Sequence, residues 1–124
     1  MGDDLSFLDK LVAAREALGR QSAVITVGGE PITVYWEPII VADTKAVEKL
    51  GPQSEFDHNL FMIVRKLTDE KGEPLFDRNK MVTAKKTLED KVQLSVLAEI
   101  NMAMRSDIPD TAQDAIEELE KNPD

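Results

Sequence analysis

The sequence predicts an α+β fold, mainly α-helical, with about five to six helices and one β-hairpin near residues 23–36. Three observations lead there. Apolar residues recur at helical spacing in most of the chain outside that hairpin. Residues 23–27 and 32–36 are rich in Val, Ile, Thr, Tyr and Trp and flank Gly28-Gly29. Capping residues stand before most of the helical stretches, and Gly or Pro follows several of them.

Residues 4–18 carry Leu5, Leu8, Leu11, Val12 and Leu18 near helical spacing, with Phe7 beside them. Asp3 or Asp4 suits the N-terminus of that helix, with Ser6 and Asp9 as a rival capping pair, and Gly19 suits its end. The hairpin follows. Two strands alone are marginal in water, so the hairpin must pack on helices or pair with another chain, which makes it a candidate assembly edge. Asp43 reads as the N-cap of a short helix over residues 44–50, terminated by Gly51-Pro52.

Ser54 caps the next helix, residues 55–68, whose apolar positions cover so much of its surface that it belongs in the centre of the core or partly in an interface. Asp77 caps a short helix bearing Met81, Val82 and Ala84, and Thr87 with Asp90 resembles a capping box opening the longest helix, residues 88–105. Asp110 reads as the cap of a last helix over residues 111–121. The expectation is one domain over residues 1–124, with 108–124 an acidic, partly mobile C-terminal helix.

Charge and composition limit the function. A net charge of −9, from 24 acids against 15 bases, argues against nucleic-acid binding and against an anionic membrane surface. No apolar run approaches the roughly 20 residues that span a bilayer. The start, Met1-Gly2-Asp3-Asp4, is acidic where a secretory leader is basic. With no cysteine there is neither disulfide nor thiolate chemistry, which fits a cytoplasmic protein.

Candidate chemical sites are weak. His58, the sole histidine, reads as a surface residue on the open side of its helix. Asp69, Glu70, Glu73 and Asp77 break the EF-hand pattern, because Lys71 occupies the third position and Gly72 arrives early. Gly28-Gly29 lacks the rest of a phosphate loop. Tyr35 and Trp36 read as core. The residues nominate no catalytic group, no metal site and no cofactor, and the chain reads as a non-enzyme. Met62, Met81, Met102 and Met104 are adaptable packing residues and the candidate partner surface.

The stretch Asp69, Glu70, Lys71, Gly72, Glu73, Pro74, Leu75, Phe76 and Asp77 reads as a turn that folds the second helical half back on the first. Gly72 supplies an unusual backbone conformation, and Leu75 with Phe76 pins the turn to the core. In the order hairpin, short helix, apolar helix, this turn and capped helices, roughly residues 32–107 resemble the tail assembly chaperones of lambda-like, long-tailed bacteriophages. An N-terminal helix ahead of the hairpin is a departure from that pattern.

The resemblance implies a small, oligomer-forming protein of the host cytoplasm, absent from the mature virion. It would coat and solubilise the tape measure protein and help recruit tail tube protein. A holdase of that kind needs apolar grooves and a solubilising charge, and residues 55–68 and 88–105 carry surplus apolar side chains. The rival expectation is a small structural virion component, such as a tail or head–tail joining protein.

Overall fold

The computed structural model describes residues 3–106. Among them are five α-helices and a three-stranded antiparallel sheet of order β1-β2-β3: α1 (Asp3–Leu18), β1 (Gln21–Val27), β2 (Glu30–Trp36), α2 (Val41–Glu48), α3 (Glu55–Lys66), β3 (Leu67–Thr68), α4 (Met81–Lys91) and α5 (Leu94–Met104). The mainly helical α+β architecture is therefore as expected. The helix anticipated over residues 111–121, and the acidic tail of which it forms part, lie outside the described residues.

Gly28 and Gly29 both take positive φ, 58° and 84°, and close β1 onto β2 in an unbroken seven-residue register from Gln21↔Trp36 to Val27↔Glu30. Burial alternates along β1. Ala23, Ile25 and Val27 turn inward, and Ser22, Val24 and Thr26 turn outward. Trp36 is buried, as expected, and Tyr35 is half-buried on the other face beneath the Arg20 guanidinium, 5.3 Å from the ring centroid.

The helix α3 is the axis of the core. Leu60, Phe61, Met62, Ile63 and Val64 are five consecutive buried residues, so the helix is covered on all sides. It packs against α2, α4 and α5, while α5 also lies on β1. Ser54 Oγ accepts from the Asp57 N–H at 3.1 Å, the expected cap.

Three boundaries differ from the sequence reading. The helix expected to reach residue 68 stops at Lys66, and Leu67–Thr68 becomes a third strand paired with Trp36 and Tyr35 of β2. The short helix α2 begins at Val41, so Asp43 lies inside its first turn. From there its carboxylate accepts from the Ile40 N–H at 2.8 Å, doing the work of a cap from the third helical position.

The third concerns residues 88–105, where the expected single helix is two. Thr87 sits inside α4 with its hydroxyl bonded to the Thr83 carbonyl, 3.1 Å, so it opens nothing. Val92 and Gln93 are extended, and the Gln93 carbonyl accepts from Val96 and Leu97 N–H to start α5. At 3.6 residues per turn, the arc holding Met81, Ala84 and Leu88 and the arc holding Val96, Leu97, Ile100 and Met104 differ by roughly 140°. One straight helix cannot bury both arcs, and the break rotates the second onto the core.

Candidate functional site

The turn after β3 is built on Asp69. Its Oδ1 accepts from the Lys71 N–H at 2.8 Å and the Glu73 N–H at 3.0 Å, and its own N–H donates to the Glu73 carbonyl at 2.8 Å. Hydrogen bonding, led by the Glu73 N–H, holds the Asp69 carboxyl below its ordinary value. Pro74 bridges Thr68, and the Leu75 N–H donates to the Leu67 carbonyl at 3.1 Å, so the loop returns along β3. Phe76 packs, partly buried, against the core. Leu75, expected to pin the turn with it, is exposed and does not.

Gly72 has φ +88°, and a Cβ there would stand 3.3 Å from Arg20 Nη1. Gly72→Ala is expected to cost about 1–2 kcal/mol, chiefly through the left-handed backbone. A thermal melt reads this, and Gly72→Asn should lose less, because Asn visits that region more readily.

The acids and bases buried beside the core are fasteners. Asp43 of α2 binds Arg65 Nε at 2.8 Å and Lys66 Nζ at 2.9 Å, both from α3. Asp57 of α3 binds Lys85 Nζ of α4 at 3.0 Å, and its other oxygen accepts from the Gln53 N–H at 2.9 Å. Lys85 also lies 5.0 Å from the centroid of the Phe61 ring. His58 was expected on the open side of α3. It is buried instead, with Nε2 3.4 Å from a Glu48 carboxylate oxygen, because α2 closes over that side.

Burial alone would raise the Asp43 carboxyl, but hydrogen bonds from Ile40, Arg65 and Lys66 outweigh it and leave it below its ordinary 3.8. The Gln53 N–H, then Lys85, lower Asp57 in the same direction. Burial opposes the charge on Lys85, yet Asp57 and Glu89 outweigh it and raise that group above 10.5.

The signs fix a pH window. Depressed acids stabilise the fold fully above the unfolded carboxyl value, about 4, and lose that contribution as pH falls through the lower folded values. A raised lysine contributes fully below about 10.4 and loses its contribution as pH rises through the folded value. The contribution of these groups to the urea midpoint should therefore be constant between those limits and fall on both sides, and Asp43→Asn should soften the acid limb.

Of the four methionines expected to face a partner, three do not. Met62, Met81 and Met104 belong to the core cluster. Met62 lies in the all-round-buried run of α3, Met81 opens α4 against it, and Met104 ends the rotated stripe of α5. Only Met102 of the four is on the surface, 73% exposed. It lines a shallow groove of about 150 Å³ between α3 and α5 with Phe56, Ile63, Leu97 and Ala98, where Asn59 and Asn101 supply the polar atoms. Arg105 Nη2 donates to Asn59 Oδ1 at 3.0 Å and ties the two helices together beside it. The two stretches whose surplus apolar residues suggested grooves are thus neighbours.

A second apolar surface escaped the sequence reading as a surface. Every described side chain of α1 is exposed, including Phe7 at 64% and Leu8, Leu11, Val12 and Leu18. The signal was present in the spacing of Phe7, Leu11, Ala14 and Leu18, a seam of the kind two helices share, but nothing in a single sequence says whether such a seam faces its own chain.

Among the described residues, no group of three or more His, Asp or Glu side chains is placed to hold a metal, and no helix is long and apolar enough to cross a membrane. The arrangement offers apolar, helix-sized surfaces on an acidic body. Compared with protein families, curated proteins and solved structures, the chain matches none.

Proposed function

We propose that this protein is a tail assembly chaperone of a long-tailed bacteriophage, made in the host cytoplasm, which holds the tape measure protein soluble and helps deliver tail tube protein to it. The observation that carries the reading is the α3–α5 groove, rimmed by Phe56 and Met102. A long amphipathic helical client presents apolar anchors at helical spacing, and a groove between two helices receives such anchors. The net charge of −9 keeps the loaded complex dispersed.

Co-expression with the tape measure protein of the same phage should yield a soluble complex. Met102→Asp should reduce the recovered client at least tenfold while shifting stability by no more than about 0.5 kcal/mol, because the side chain is exposed. A client that stays insoluble with wild-type protein, or a complex indifferent to Met102→Asp, would overturn the proposal. Mass spectrometry of purified virions supplies the other arm, since abundant protein there would transfer it to the structural components of the particle.

A further inference from the structure

The strand β1 is the outer edge of the sheet. Its seven residues, Gln21–Val27, contain no charge, no Pro and no Gly, in a chain that is 31% charged. Its register with β2 has no bulge, and among the described residues no strand pairs with its other side. Charged side chains, Pro and bulges are three of the usual protections of a free edge, and β1 has none of them; a covering helix is a fourth, and α5 packs against β1, where Ala23, Ile25 and Val27 turn inward. An edge left this way is a template for another strand.

The residues themselves indicate which strand. Placed antiparallel on a second copy about a two-fold axis at Val24, β1 sets Val24 against Val24, Ala23 against Ile25, and Ser22 against Thr26. Hydroxyl meets hydroxyl on the outward face, and a small residue meets a large one on the inward face. The register keeps Ala23 and Ile25 of both copies inward, so the pairing preserves the sidedness of both sheets. The start of β1 also comes to lie opposite the end of the second copy's β1. The helix α1 joins Gln21 through Gly19 and Arg20, and its described apolar side chains are uncovered. Helices gain most of their stability from packing, so burial of those side chains would stabilise α1, 16 residues long.

We infer that two copies of this chain pair through their β1 edges, joining two three-stranded sheets into one of six strands. The phage resemblance implies an oligomer without saying which surface makes it; the β1 edge is argued from the strand itself and uses neither the groove nor a client.

Val24 is 66% exposed and on the outward face, so substitutions there leave the core of each copy intact. Across an antiparallel pair, directly opposed Cα atoms lie about 4.5–5.5 Å apart, within the range a disulfide spans. The chain has no cysteine of its own. Mild oxidation of Val24→Cys should give a covalent dimer, while Val82→Cys, at a similarly exposed position on α4, should not.

By sedimentation analysis the wild-type protein should dimerise, and Val24→Lys, which sets two like charges face to face, should weaken association at least tenfold, while at concentrations where both proteins are monomeric their thermal melts should agree. A wild-type protein monomeric at every concentration would overturn the inference. So would a dimer that survives Val24→Lys and fails to cross-link through Val24→Cys. A dimer abolished by Leu11→Asp but untouched by Val24→Lys would place the interface on α1 instead.

Discussion

Asp43→Ala is expected to lower the free energy of unfolding by about 3–5 kcal/mol, the cost of breaking a buried ion pair. The carboxylate is almost wholly buried and receives Arg65, Lys66 and the Ile40 N–H at once. Removing it leaves Lys66, itself buried, with an uncompensated ammonium, and frees the first turn of α2. Against a typical stability of about 5–15 kcal/mol, that is a large share of the whole.

The double variant Asp43→Leu with Lys66→Met should recover much of the loss, because an apolar pair of similar size escapes the desolvation cost of both charges. Urea unfolding monitored at Trp36 measures all three proteins. A single-variant loss below about 1 kcal/mol would mean that Lys66 reaches water when its partner is gone.

The second large effect separates two methionines that the sequence groups together. Met62→Ala should cost about 2–5 kcal/mol, because the side chain is 1% exposed and its removal opens a cavity in the centre of α3. Met102→Ala should stay within about 0.5 kcal/mol. For the proposed chaperone the order reverses in a client-binding assay, where Met102→Ala should lower binding and Met62→Ala should act only through folding. Comparable stability losses for both would contradict the burial of one and the exposure of the other.

The contrast shows what was legible in the residues. Helical spacing, Ser54 before α3 and the paired glycines of the hairpin each act within a few residues of themselves, whereas Asp77 caps the 3-10 turn Arg78–Lys80 and not the helix bearing Met81 that was expected of it. Local chemistry of that kind reads directly from a sequence. The strand β3 could not be read this way. Two residues, Leu67 and Thr68, have no periodicity, and they are a strand only because β2 runs past them.

Burial of polar groups was hidden for the same reason. Nothing near His58, Asp57 or Lys66 in the sequence announces that α2 and α4 will cover them. The division of α4 from α5 was available in principle. Neither Gly nor Pro marks it, but the shift in apolar phase between Leu88 and Val96 does. The candidate site divided likewise: the turn around Asp69 and Gly72 was visible, while the groove required knowing that α5 lies on α3.

The junction of α3 with β3 has a mechanical consequence. Lys66 is the last helical residue and Leu67 the first of the strand, with φ −65° and ψ 137°, so no spacer separates them. The Glu37 N–H also donates to the Lys66 carbonyl at 3.3 Å, fastening β2 to the same joint. A linkage without slack transmits displacement instead of absorbing it. A residue inserted between Lys66 and Leu67 would slip β3 against β2 by one position and exchange the faces of Leu67 and Thr68.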